Sequence, residues 1–153
     1  MNKTEVRSLW SALNACTYKP GIHAPFDCVC CNDSVIYTTD GYVVNRVEGV
    51  FKPGTMFSAL YRTECAYAPR VDLLDRLLTY DVSNKRFENT CDYFDPALVM
   101  KALRVHKSAG AKHIQFMPSA LATATKAPLI IRSEIQDNHG HIIITSAIQG
   151  MRK

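Results

Sequence analysis

The sequence predicts an α+β domain in which two amphipathic helices pack on an antiparallel sheet. Three observations predict it. Apolar residues recur at helical spacing near the amino terminus and again after residue 95; turn dipeptides cut the intervening chain into short strand-like runs; and one order, a helix and then three strands, recurs in each half. At 153 residues the chain has room for one core. Hydrophobic residues make up 47% and charged residues 21%, the balance of a chain that folds rather than one that stays disordered.

Taken in order, Val6, Leu9, Trp10, Leu13 and Cys16 share one side of a helix over 2–16, with Lys3, Arg7, Ser11 and Asn14 on the other and Asn2 with Glu5 as a capping box. Lys19, Pro20 and Gly21 stop it. The apolar run 26–31, the pair Asn32-Asp33, the run 35–38, the pair Asp40-Gly41 and the run 42–47 read as three short antiparallel strands. Residues 56–61 read as a fourth strand, and Val71, Leu74, Leu77 and Leu78 as a short helix after Pro69. The polar stretch 80–91 reads as a connection, inside a connecting or inserted region 63–93 that separates halves 1–62 and 94–153. Asp95 as N-cap and Pro96 at the first helical position open the second long helix, 97–108. Leu98, Val99, Ala102, Leu103 and Val105 fall on one side, and Lys101, Arg104, Lys107 and Ser108 on the other. Ala109-Gly110 ends it. Strand-like runs follow at 113–117, 129–135 and 141–148, the last two joined by a turn at Asp137-Asn138-His139-Gly140.

The chain carries 18 Lys+Arg against 14 Asp+Glu, a net charge of +4 and a pI near 8.8. That balance accommodates a polyanionic partner but falls short of the strongly basic footprint that argues for one. Six cysteines, no signal-peptide pattern and no apolar run of transmembrane length predict free thiols in the cytoplasm and no membrane partner.

The sequence holds no phosphate-binding Gly-x-x-x-x-Gly-Lys-Ser/Thr, no Gly-x-Ser-x-Gly and no His-Glu-x-x-His, so the expectation is a binding protein without cofactor. An enzyme reading rests on a Cys-His pair assembled through space, Cys91 or Cys65 with His106 or His113, and is the weakest of the readings. Cys28, Cys30 and Cys31, with His23 upstream, are zinc-ligand types. Strand alternation would put Cys28 and Cys30 on one face and Cys31 on the other, so they read as small buried hydrophobes. Asp137-x-His139-x-His141 reads as turn chemistry, and no metal site is predicted.

Several strings carry a family likeness. Leu9-Trp10-Ser11-Ala12-Leu13 is followed by Pro25-Phe26-Asp27-Cys28-Val29-Cys30 and by Val35-Ile36-Tyr37-Thr38-Thr39-Asp40-Gly41-Tyr42; later come Phe94-Asp95-Pro96-Ala97-Leu98-Val99, Pro128-Leu129-Ile130-Ile131 and Gln149-Gly150-Met151-Arg152-Lys153. In order and content these resemble one domain of the bacterial DNA sliding clamp, the ring-forming β subunit of the replicative polymerase. The resemblance implies a DNA-clamp-like fold of two similar βαβββ-type halves that tethers and catalyses nothing. Its helices would hold double-stranded DNA by phosphate contacts from Lys101, Arg104, Lys107 and Lys112, with Lys3 and Arg7 on the first helix; the plainer reading of these charges is a solvated helix face. It also implies a partner pocket at Thr39, Gly41, Val44 and Met151. Here the chain departs from the pattern: Val43 stands where the family has Arg, Val44 where it has Leu, and Gln149-Gly150 where it has Met-Pro. The clamp subunit carries three such domains and this chain one, so a ring implies a homo-oligomer joined through sheet edges. The departures favour an alternative: a clamp-fold adaptor or inhibitor, of the kind a virus or mobile element carries, that binds a replication or defence protein without encircling DNA.

Overall fold

The computed structural model describes residues 1–81, 93–121, 127–137 and 140–151. At the amino terminus the Asn2 side chain accepts from the Glu5 N–H at 2.9 Å and caps α1 (Lys3–Asn14), which buries Val6, Leu9, Ala12 and Leu13. A meander follows: β1 (Cys30–Asn32), β2 (Val35–Thr39) and β3 (Val43–Glu48), paired antiparallel. The first turn is a two-residue loop with φ positive at both Asp33 and Ser34, the backbone that matches the twist of the flanking strands. In the second, one Asp40 carboxylate oxygen accepts from the N–H groups of Tyr42 and Val43, each at 2.9 Å.

The chain then makes α2 (Met56–Tyr61), β4 (Ala66–Tyr67) and α3 (Asp72–Leu77). Asp95 opens the second half, accepting from the Ala97 N–H at 2.8 Å as cap of α4 (Pro96–Ser108), which leads into β5 (Gln115–Met117), β6 (Leu129–Asp137) and β7 (Gly140–Ile148). One seven-stranded sheet results, in the order β4-β1-β2-β3-β7-β6-β5. Each half is a helix and a three-stranded meander, and the halves meet antiparallel along β3 and β7, from Val43 opposite Ile148 to Glu48 opposite Ile143.

Both long helices lie on the same face and touch each other. Under them Ile36, Val43, Val47, Ile131, Ile144 and Ile148 form the main core with Val6, Leu9, Leu13 and Val105. Strand alternation sends Val44, Ile130 and Ala147 to the opposite face, where Leu74, Leu78, Tyr80 and Met117 cover them. Leu74, Leu78 and Tyr80, from the described part of the region between the halves, thus cover the centre of the sheet on its far side.

Five expectations change. Each half is αβββ and not βαβββ: among the described residues, α1 and α4 each lead into their meander with no strand of the same half before them. Residues 56–61 form a helix, not a strand: Thr55 Oγ1 accepts from the Ser58 N–H, and the helical turn brings Phe57 and Tyr61 together onto Trp10. Residues 26–29 lie in a loop, held by the bonds from Phe26 N to His23 O and from Cys28 N to Pro25 O, so the first strand starts at Cys30. The sheet is mixed, because β4 joins β1 in parallel, Cys30 opposite Ala66. Four helices stand among the described residues instead of two on the sheet plus one short one. Most of the predicted 80–91 connection, Cys91, and the tip of the predicted 137–140 turn lie outside the described residues.

Candidate nucleic-acid interface

α1 and α4 present the ends of parallel i, i+4 rows to one groove: Thr4, Ser8, Arg7 and Ser11 from the first helix, Arg104 and Ser108 from the second. The groove, about 390 Å³, therefore holds two guanidinium groups and four hydroxyls, with no carboxylate in its lining. Arg7 and Arg104 are both exposed. A planar guanidinium donates in a fork that matches a phosphate, and hydroxyls complete such contacts, so the groove has the chemistry of a phosphate backbone site.

The other predicted phosphate contacts are dispersed. Lys3 sits exposed at the start of α1, and Lys107 and Lys112 line the outer flank of α4 rather than the groove between the helices. Lys101 is already engaged: its Nζ lies 2.7 Å from Asp40 Oδ2. Burial by itself would raise the Asp40 carboxyl, but the Lys101 ammonium and the N–H groups of Val43 and Tyr42 outweigh it and hold the group below the usual carboxylate range. The same hydrogen bond pushes the Lys101 ammonium up. Its charge locks α4 to the β2–β3 turn.

That turn also organises the predicted partner pocket. Gly41 and Val44 line a hollow of about 270 Å³ beside Tyr42, Leu77, Ala147 and Gln149, and Met151 lines an adjoining one that shares Tyr42 and Gln149. The Gln149 N–H donates to the Tyr42 carbonyl at 2.9 Å, which holds the two hollows side by side. Thr39 is buried and accepts from the Gly41 N–H at 3.1 Å, so it supports the turn and does not line either hollow. Val43, at the position of the family's Arg, is buried under the helices and has no access to the pocket.

A buried polar chain went unread in the sequence. His106 Nδ1 lies 2.6 Å from Ser133 Oγ and Nε2 lies 2.8 Å from Ser146 Oγ; Ser146 donates to Asn45 Oδ1 at 2.6 Å, and Asn45 Nδ2 donates to Thr38 Oγ1 at 3.1 Å. Because Ser146 gives its proton to Asn45, it accepts from His106 Nε2–H, and Nδ1 accepts from Ser133. Burial drops the His106 pKa from 6.5 to about 4. Cys16 lies against the same network, its thiol pushed up to about 11 by burial.

Both His106 nitrogens are thus occupied by serines, and the Cys65 thiol, raised to about 12 by burial and then by Cys31 and Cys30, stays protonated at neutral pH. Cys28 is exposed and outside the strand, whereas Cys30 is buried with its Sγ 3.1 Å from the Pro25 carbonyl. Among the described residues no three His, Cys, Asp or Glu side chains are arranged to hold a metal ion. His141 pairs with Glu134 at 2.6 Å, while His139 and the Asp137 side chain lie outside the described residues.

No protein-family model, curated protein or solved structure matches the chain. None of the described helices is long and apolar enough to cross a membrane.

Proposed function

We propose that the chain is a non-catalytic, clamp-like module of the cytoplasm that tethers to double-stranded DNA through its helical layer. The observation that carries this reading is the pairing of Arg7 and Arg104 across one hydroxyl-lined groove, contributed by the corresponding helix of each half. Two halves of one helix and three strands, joined antiparallel at the centre of a single sheet, support the clamp-like part of the reading. Self-association would use the sheet's outer strands, β4 and β5, which are short and carry the exposed rings of Tyr67 and Phe116.

Duplex DNA titrations at several salt concentrations test the groove. Replacing both Arg7 and Arg104 with Ala should flatten the slope of log K against log[salt] by about 2, since each lost phosphate contact removes about 0.9. Lys101→Ala should change the slope little, because Asp40 already holds that charge. An unaltered slope in the double variant overturns the assignment. The native mass adds a second check: encircling a duplex requires a closed oligomer, and a monomer excludes it.

One observation favours the adaptor reading. Tyr42, Leu77 and Met151 are exposed around the two adjoining hollows, an apolar surface suited to a replication or defence protein. Under this alternative, Tyr42→Ser abolishes partner capture while the DNA salt slope stays as in the parent chain.

A further inference from the structure

The outer flank of α4 forms a second groove with a different chemistry. It runs between the helix and the segment 111–114 and encloses about 890 Å³. Its floor is apolar, with Met100, Leu103 and Ile114, and its rim is basic, with Arg104, Lys107, Lys112 and His113. No carboxylate lines it. Met100 is 66% exposed, a large apolar side chain held in water on an otherwise cationic flank. Unlike Lys101, neither Lys107 nor Lys112 has an acidic partner among the described residues.

From this combination we infer that the α4 flank is a docking groove for an acidic amphipathic segment of a partner protein. A duplex phosphate backbone is charged along its whole length and gains nothing from an aliphatic floor. Single-stranded nucleic acid would need aromatic platforms for its bases, and none of Phe, Tyr or Trp lines the groove. A membrane surface is flat, whereas this site is concave. An amphipathic helix bearing one or two apolar anchors between Asp or Glu residues answers both features: anchors into Met100, Leu103 and Ile114, carboxylates to the rim. Methionine suits such a floor because its unbranched, polarizable side chain adapts to different anchors. The inference is separable from the DNA reading: Arg104 borders both grooves, whereas Arg7 lines only the groove between the helices and Met100, Lys107 and Lys112 line only this one.

The test uses the whole chain and a fluorescein-labelled synthetic peptide of about four helical turns, with Leu at helical spacing and Glu elsewhere. Fluorescence anisotropy should show saturable binding that the same peptide with Lys for Glu does not reproduce. Lys107→Glu combined with Lys112→Glu should weaken it by about tenfold or more, and Met100→Ser should weaken it too, while Arg7→Ala leaves it unchanged. All three altered side chains of the groove are exposed, so the variants should keep the fold, which their circular dichroism spectra check. Absence of saturable binding, or indifference to Met100→Ser, overturns the inference. So does a charge reversal that abolishes binding to duplex DNA or to phosphatidylserine vesicles yet leaves the peptide bound, since the groove would then serve those polyanions. Loss of DNA binding in Arg7→Ala bears on the other groove alone, since Arg104 borders both.

Discussion

Lowering the pH from 7 to 4 should remove about 3 kcal/mol of folding stability through His106 alone. The ring sits in the middle of a directional chain of hydrogen bonds from Ser133 through Ser146 and Asn45 to Thr38, and every member is buried. Protonation turns Nδ1 from an acceptor into a donor facing Ser133 and creates a charge with no carboxylate bonded to it. The folded state therefore takes up the proton near pH 4 while the unfolded chain does so near 6.5. Between those values the unfolded chain binds more protons. The stability is complete above pH 6.5 and is lost as the pH falls toward 4, at about 1.4 kcal/mol per unit. Denaturant titrations at pH 7, 5.5 and 4 read the loss. His106→Gln keeps hydrogen-bonding capacity without titrating, so the variant should show a much shallower pH dependence in this window. Equal dependence in both proteins would reject the assignment. His106→Leu, by contrast, strands Ser133 and Ser146 and should cost about 2–4 kcal/mol at pH 7.

What the sequence reveals and what it hides follow from how far apart the deciding residues lie. The long helices were legible because their start signals are local: Asn2 bonds three residues on and Asp95 two. The meander of β1 to β3 was legible from its turns, although the turn centres on Asp33-Ser34 rather than Asn32-Asp33. Residues 56–61 were misread because Met56, Phe57, Ala59, Leu60 and Tyr61 satisfy neither period uniquely. Long-range packing decides them, with the Tyr61 ring stacked on Trp10 at 4.2 Å. The two-residue β4 has no sequence signature at all; it is held by backbone bonds to Val29 and Cys31 and by Asn32 Nδ2 donating to the Ala68 carbonyl at 2.6 Å.

The basic face shows the same limit. A helical projection puts Lys101, Arg104 and Lys107 on one side, but only the fold reveals that α1 stands along one edge of that side. Arg104 then meets Arg7, Lys101 meets Asp40, and Lys107 turns to the opposite flank. His106 carried a readable signal, since it falls in register with the buried Ala102 and Val105 on α4. Its partners, 27 and 40 residues away, did not.

Gly49→Ala should be the more damaging single substitution, costing at least about 4 kcal/mol or preventing folding. Gly49 follows β3 with φ +98, and a Cβ there would overlap the His141 carbonyl oxygen and crowd the His141 carbonyl carbon at 3.1 Å and Ile142 Cα at 3.3 Å. All three atoms are backbone, so no side chain can rotate away to make room. Relief requires β3 and β7 to part at Glu48 and Ile143, the end of the seam that joins the two halves. Gly54→Ala is the control: its φ is +85, yet nothing lies within 4 Å of the added carbon. It should lose only the left-handed backbone term, about 1–2 kcal/mol. Denaturant midpoints of the two variants separate steric exclusion from backbone preference, and equal losses would show that the approach to β7 is not what demands glycine. Because α4 packs on both strands of that seam and against α1, Gly49→Ala should also disturb the placement of Arg104 relative to Arg7 and lower duplex affinity where the protein still folds. Gly54→Ala should leave affinity unchanged.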